Sequence, residues 1–366
     1  MSEDKKSNKI KATLNRQDLV RNCFRVGGYS YARSASEVAQ KYGIARVARL
    51  ASNENPRSPP PGAIRNGCEA LGKVNRYPDE CASGFREALR HYHGDYNFVT
   101  GVGMDGVIET SVRALVDTGD RVVISTPTFS FYRLAALAQG AEVVEVPRGE
   151  GFSVDEGELI RSAKGAKLTF LCSPNNPTGN ATPEAVVEGI LEEIEGILFL
   201  DNAYVEFSDR DYLSLLRKHE NLIIGRTMSK IFSLAGLRVG YAMVPAWFEP
   251  FYSRASTPHA LNSVSSAAAS SALNDRAHVK ETRIYVKQWR ERMSSSCRLP
   301  VNPSEANFIM VDVAPFKGDG MVERLASRGV LVRSCRSFRG LPDHYIRVSV
   351  GDVWENELFL EEINRP

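Results

Sequence analysis

A lysine that could do covalent work follows an apolar run directly. Leu222-Ile223-Ile224-Gly225 reads as a buried strand, Arg226-Thr227-Met228-Ser229-Lys230 comes next, and Arg238 lies eight residues beyond the lysine. Burial penalises a lysine's charge, so a lysine close behind a buried strand needs a task. One task is covalent: an amine of lowered pKa forms a Schiff base with a carbonyl, the use made of lysine in pyridoxal phosphate chemistry. Ser229 and Arg238 then stand near to offer a hydroxyl and a guanidinium to a phosphate. Taken alone the stretch is only a strand entering a polar loop, and the rest of the chain has to decide.

Ligands of an open parallel sheet bind at the carboxyl ends of its strands, and those ends carry a coherent set of groups. Gly101-Val102-Gly103-Met104-Asp105-Gly106 precedes a helix starting near Val107. Glycine permits close backbone approach there, and a helix start presents N–H groups to an anion. Phe129 follows a strand ending at Ser125 and could stack on a flat heterocycle. In Ser173-Pro174-Asn175-Asn176-Pro177-Thr178-Gly179, Asn176 can donate to an oxygen on an aromatic ring. Asp201 ends the apolar run 197–200 and is followed by Asn202-Ala203-Tyr204. A buried carboxylate needs a partner, and a protonated ring nitrogen is one that also makes the ring an electron sink. Singly, these have plainer readings: a glycine turn, a core aromatic, a proline-fixed turn, a helix-capping aspartate.

The elements that must hold these groups can be read from patterning. From residue 97 to 245 apolar strand-like runs at 121–125, Leu168–Cys172, 197–200, 222–225 and Val239–Val244 alternate with helical patterns at 107–116, 131–138 and 184–194. The last has Thr182 as N-cap and Pro183 at its first position. Apolar runs separated by helices mean an α/β domain with a mostly parallel sheet. Beyond residue 260 a long charged helix, 275–295, leads to strands at 307–313, 329–333 and 345–350 and helices at 320–327 and 354–363, a smaller α+β domain. Before residue 50 the chain is a polar, basic arm with one amphipathic helix, Ala35–Tyr42, and Pro59-Pro60-Pro61 marks the entry to the main domain. The expected division is an arm at 1–50, a large domain at 51–262 and a small C-terminal domain at 263–366.

Bulk properties exclude several classes. A chain of 366 residues, 43% hydrophobic and 25% charged, is an ordinary globular composition with room for two cores. A net charge of +2, from 46 basic and 44 acidic residues, gives no global field toward nucleic acid or membrane. Lys5-Lys6 reads as a solvated end. Six cysteines without a Cys-x-x-Cys pair argue against a metal site or disulfide framework and fit a reducing cytoplasm. The N-terminus lacks the apolar core of a signal peptide, and no run approaches the ~18 apolar residues of a membrane span. The expected location is cytoplasmic.

Taken in order, Ser173–Gly179 (Ser-Pro-Asn-Asn-Pro-Thr-Gly), Asp201 with Tyr204, Thr227-Met228-Ser229-Lys230 and Gly236-Leu237-Arg238 resemble the fold-type I pyridoxal phosphate aminotransferases. More narrowly they resemble the histidinol-phosphate aminotransferase family, with family-like spacing from residue 28 to the C-terminus. The resemblance implies a large domain on a mostly parallel sheet of the seven-stranded type, a smaller α+β C-terminal domain, and pyridoxal 5'-phosphate as cofactor. It implies that Lys230 forms the Schiff base and then moves the substrate's α-proton, that Asp201 holds the pyridine nitrogen, and that Asn176 and Tyr204 bond the ring oxygen. Phe129 stacks on the ring in this scheme. Backbone near Gly103-Met104, with Thr227, Ser229 and Arg238, binds the phosphate, and Tyr77 reaches that phosphate from the other subunit of a homodimer with shared active sites. Arg347 takes the carboxylate of glutamate, Arg333 the phosphate of histidinol phosphate, and Tyr29 and Asn53 close over the substrate. The implied reaction is amino transfer between histidinol phosphate and 2-oxoglutarate, a step of histidine biosynthesis.

Two residues depart from the family pattern: Asn202 stands where Glu is common, and Arg57 where a small or apolar residue is. The stretch from Val332 to Cys335, with Tyr345-Ile346-Arg347, is also similar to threonine-phosphate decarboxylases, whereas Ser52-Asn53-Glu54-Asn55-Pro56 favours the transferase. A regulator reusing this domain would need a DNA-binding module, for which the polar arm leaves little room. The choice among histidinol phosphate, aromatic amino acids and phosphothreonine depends on pocket shape and stays open.

Overall fold

The computed structural model describes residues 16–25, 28–29 and 33–365; the Lys5-Lys6 run lies outside the described residues. Seven strands form the main sheet: β1 (Asn97–Val102), β2 (Arg121–Thr126), β3 (Glu142–Pro147), β4 (Leu168–Cys172), β5 (Ile197–Asp201), β6 (Leu222–Thr227) and β7 (Val239–Val244), in the order β1-β7-β6-β5-β4-β2-β3. Only β7 runs against its neighbours; the pairings of β2 with β3 and β4, β4 with β5, and β5 with β6 are parallel. Every residue of β4, β5, β6 and β7 is buried, which is why these strands appear as unbroken apolar runs rather than alternating ones. The register sets Cys172 beside Asp201 and Asp201 beside Gly225, so the carboxyl ends of β4, β5 and β6 come level.

The edge strands β1 and β3 were not separable by patterning. Each has only one neighbour, and β3 carries Glu142 and Glu145 toward partly open surroundings. Helix Gly103–Leu115 leaves β1 and buries Met104, Val107, Ile108 and Val112 at helical spacing, packing on β7 and β1. Its start lies hard against β7, where a Cβ on Gly240 would come within 2.3 Å of the Gly103 carbonyl carbon. Helix Glu184–Glu193 begins one residue later than its sequence suggests: Pro183, not Thr182, is the N-cap, and Thr182 makes no side-chain cap. The Thr182 backbone is used elsewhere, its N–H donating to Ser173 Oγ (2.8 Å) and its carbonyl accepting from Tyr212. That pair of bonds holds the Ser173 loop.

Helices Pro61–Leu71 and Ser83–His93 both pack on Ser263–Leu273, a Ser/Ala-rich helix whose apolar periodicity is too weak to read from sequence. Helix Arg276–Ser296 follows, its N-cap Asp275 accepting from the His278 N–H as a charged residue at that position should. The C-terminal part is a four-stranded antiparallel sheet in the order Arg333–Ser334, Tyr345–Ser349, Phe308–Asp312, Val301–Asn302. The expected strand at 329–333 divides: Val330–Leu331 pairs in parallel with Ala48–Arg49, while Arg333–Ser334 joins the four-stranded sheet. Leu50 then donates its N–H to Leu331 and accepts from Ser349 (2.8 Å each), carrying residues 51–55 across the strand ends of the main sheet. Among the described residues no helix is long and apolar enough to cross a membrane.

Candidate active site

The level ends of β4, β5 and β6 floor a cavity of ≈ 400 Å³. Asp201 stands at the tip of β5, 3% exposed, with Oδ2 accepting from the Tyr132 hydroxyl (2.6 Å) and Oδ1 from the Ala203 N–H (2.9 Å). Burial pushes its carboxyl up to about 6, against the opposing pull of those two donors. Tyr132 comes from helix Phe131–Gln139 and is itself fixed by stacking on Phe170, ring centroids 4.7 Å apart. Lys230 lies beyond the end of β6, and its Nζ donates to the Ser52 carbonyl at 3.3 Å. Burial, and then the Arg347 guanidinium, press its amine down to about 8. At neutral pH about a tenth of such amines are unprotonated, far more than for a solvated lysine.

One end of the cavity is built for an anion. Ser229 is buried and its hydroxyl has no partner, while its N–H is fixed by Thr227 Oγ1 (3.1 Å). Arg238 adopts a left-handed backbone (φ 52°), and its carbonyl accepts from the Gly103 N–H at 2.9 Å. Gly103 has φ +69°, and a Cβ there would strike the Arg238 guanidinium at 2.4 Å, so this position requires glycine. The next N–H groups of the helix lack intrahelical acceptors, and Met104 and Asp105 line the same cavity. Asp105 pairs with Arg238 at 2.8 Å; burial raises its carboxyl and the arginine opposes this.

The opposite end is built for oxygens and carboxylates. Arg347 donates to Asn176 Oδ1 (2.5 Å) and the Ala51 carbonyl (2.7 Å), and its Nε is buried without a partner. Because Asn176 spends its oxygen on Arg347, its amide N–H group is left to donate. Asn53, at φ 52°, donates to the Tyr204 hydroxyl (3.0 Å), so that hydroxyl keeps its own proton for another acceptor. Arg333 is directly opposite Arg347 in the strand register and also lines the cavity. Phe129 meets Tyr29 edge-on at 5.9 Å on the wall.

The structure therefore brings Tyr29, Asn53, Met104, Phe129, Asn176, Asp201, Tyr204, Thr227, Ser229, Lys230, Arg238, Arg333 and Arg347 to one cavity. Gly103 stands just behind the wall. Tyr77 does not enter: it is 85% exposed and stacks on His259 at 4.8 Å. Sequence reasoning missed Tyr132, Asp105 and the Ser52 carbonyl. The first two had a signal, since Tyr132 lies three residues after Phe129 and Asp105 two after Gly103, each at the start of a helix leaving a strand end. The carbonyl had none, because backbone acceptors carry no residue signature. Among the described residues no group of His, Cys, Asp and Glu is arranged to hold a metal.

Comparison with known proteins fits this geometry. The model of the family "Aminotransferase class I and II" matches residues 45–363. The chain belongs to that family. Within it, a histidinol-phosphate aminotransferase of Methanoculleus marisnigri is 63% identical over 346 residues, 94% of this chain and 98% of that protein. Another, from Methanosphaerula palustris, is 57% identical over 352 residues, 95% of this chain and 99% of that one. A solved histidinol-phosphate aminotransferase from Sinorhizobium meliloti, in complex with pyridoxal-5'-phosphate, superposes with a TM-score of 0.84 at 25% identity, covering 94% of this chain and 96% of its own.

Proposed function

We propose that this protein is a pyridoxal 5'-phosphate-dependent aminotransferase that moves an amino group between histidinol phosphate and 2-oxoglutarate, with glutamate as the reciprocal donor, in histidine biosynthesis. The observation that carries the reading is the pairing of a lysine of lowered pKa with a buried, raised aspartate at neighbouring strand ends of one cavity. Its substrate comes from the names of the relatives it resembles over nearly their whole length.

The residues fit the cofactor. Ser229's unpartnered hydroxyl, the Arg238 guanidinium and the N–H groups after Gly103 suit a phosphate. Asp201, raised by burial, gains from a cationic ring nitrogen beside it. The free donors of Asn176 and Tyr204 suit a ring oxygen, and Phe129 a ring face. Bound there, pyridoxal phosphate withdraws electrons from the substrate's Cα and carries the amino group between donor and acceptor.

The chain's own residues do the rest. Lys230 moves the proton at the substrate's Cα, a task suited to an amine near pKa 8. Asp201 keeps its negative charge toward the ring nitrogen, and Tyr132 keeps Asp201 oriented. Arg347 presents a planar fork to a carboxylate or phosphate, with Arg333 alongside it. Tyr29 and Asn53 bound the cavity on the side of the N-terminal segment and exclude water there.

The same reading holds that the enzyme is a cytoplasmic homodimer in which Tyr77 serves the partner's phosphate site. Exposed Ile64, Leu71, Val74 and Tyr77 form an apolar stretch suited to such a contact, and the six cysteines are unpaired thiols. Sedimentation that gives a monomer at working concentration would remove the dimer.

The deciding experiment mixes the holoenzyme with histidinol phosphate and no keto acid, in a single turnover. Loss of the aldehyde form's visible absorbance, with the amine form appearing, is the expected result. An unchanged spectrum refutes this donor and directs the assay to phosphothreonine with CO2 detection, then to aromatic amino acids.

A further inference from the structure

The charged groups on the cavity wall differ in what already holds them. Asp201 is engaged by Tyr132 and Ala203, and Asp105 by Arg238, both at the end suited to the cofactor. Arg333 and Arg347 stand side by side on adjacent strands at the other end, two guanidinia facing one space. Glu54 is the remaining carboxylate on the wall among the described residues, and a group outside the cavity holds it. Arg49 Nη2 straddles its two oxygens at 3.1 and 3.0 Å. A carboxylate has about four acceptor positions, and this contact occupies one on each oxygen. The others stay open.

The backbone under Glu54 is pinned from both sides. Asn53 is bonded through its N–H to Ser349 Oγ (2.8 Å) and through its carbonyl to Asn307 (3.0 Å). Asn55 donates to the carbonyls of Lys230 (2.9 Å) and Ile231 (3.2 Å). Glu54 is thus an oriented acceptor on a fixed stretch that spans the reacting lysine, and little ordering is left to do when a ligand meets it.

If the function proposed above is right, on which this inference rests, the amino donor has two arms leaving the carbon that bears its amine. The phosphate arm is a dianion and belongs with Arg333 and Arg347. The other arm is an imidazole, which carries at least one N–H donor whether neutral or protonated. An N–H donor buried without an acceptor would be penalised, so the second arm needs an acceptor on the wall, which the arginines, being donors only, cannot be. We propose that Glu54, held by Arg49, accepts a hydrogen bond from the imidazole N–H of the donor and so selects it over donors without one. Glutamate, which uses the same cavity in the other half-reaction, offers no such donor from its side chain and gains nothing from Glu54.

The test compares half-reactions of the holoenzyme in single turnover with three donors: histidinol phosphate, its analogue with phenyl in place of imidazole, and glutamate. For Glu54→Ala the specificity constant falls about tenfold to a hundredfold with histidinol phosphate, the loss of one charge-assisted hydrogen bond. Glu54→Gln, which keeps an oxygen but not the charge, falls less. With the phenyl analogue and glutamate both variants stay within about threefold of the wild type, well below one hydrogen bond's worth. Equal losses with all three donors would overturn the proposal, because that is the pattern of an effect on Lys230 rather than on the imidazole. No loss with histidinol phosphate would overturn it as well. A wild-type enzyme inert toward histidinol phosphate would fail at an earlier stage, removing the substrate reading itself and this inference with it.

Discussion

Replacing Asp201 by Asn should make the cofactor-free protein more stable at neutral pH while depriving it of its cofactor. Burial moves the Asp201 carboxyl from 3.8 to about 6, so the folded protein holds that proton more tightly than the unfolded chain does. With a raised folded pKa the group binds more protons folded than unfolded between those two values, and stability falls as pH rises through the window. Above it the charge is buried at full cost, about two pK units or ~3 kcal/mol. Asn carries no charge, but its one oxygen cannot accept from both the Tyr132 hydroxyl and the Ala203 N–H. Losing one of those bonds costs about 1 kcal/mol. The net expectation is a variant about 2 kcal/mol more stable near pH 8, an advantage that vanishes between about pH 4 and 5 and turns slightly negative below. Denaturant midpoints of both cofactor-free proteins across that range measure it. With pyridoxal phosphate bound the order should reverse, since Asn offers no charge to a ring nitrogen, and dialysis should strip the variant first. A cofactor-free Asp201→Asn protein that is less stable near pH 8, or a gap that does not change with pH, would refute the reasoning.

Three further outcomes are expected. Lys230→Ala loses turnover together with the visible absorbance of the bound cofactor, and retained amino transfer would remove Lys230 from the chemistry. Arg347→Ala raises the KM for glutamate about tenfold or more, one charge-assisted hydrogen bond, while cofactor retention changes little; unchanged glutamate kinetics would contradict its role. Tyr132→Phe removes a donor that lowers the Asp201 pKa, so that carboxyl titrates still higher and cofactor retention weakens most at mildly acid pH. A retention profile that does not shift would show that the hydroxyl does not orient Asp201.

What could be read from the sequence followed burial. Strands enclosed on both faces appear as continuous apolar runs, and the polar residues that break those runs at Asp201 and beyond Thr227 are the ones that end at the cavity. Motif strings supplied the remaining cavity residues, including Asn176 and Arg347, whose partners lie 171 positions apart. The edge strands β1 and β3 were lost because one open side admits polar residues and dilutes the pattern. Ser263–Leu273 was lost for the opposite reason: small side chains crowd against neighbours on several sides, so no single apolar face stands out. Thr182 misled because a good capping residue had its backbone committed to the Ser173 loop, a long-range demand that local propensity does not contain. Tyr132 and Asp105 act on other site residues rather than through a motif of their own.

The crossing segment from Ala48 to Asn55 has a consequence for the order in which the protein can be made. Its bonds run to Leu331, Ser349 and Asn307, the Asn53–Ser349 pair being separated by 296 positions. During synthesis that segment emerges early, can meet Tyr204, Lys230 and Ile231 once the main sheet is made, and gains its C-terminal bonds only when the last strands leave the ribosome. The main sheet, whose strands are complete by Val244, can assemble well before that. The cavity therefore has its floor well before its wall is complete, because the bonds from Leu50 and Asn53 to Leu331, Ser349 and Asn307, and the Arg347 guanidinium itself, arrive only at the end of translation. A nascent chain cut short of Tyr345–Ser349 should carry a folded sheet and an unfinished active site.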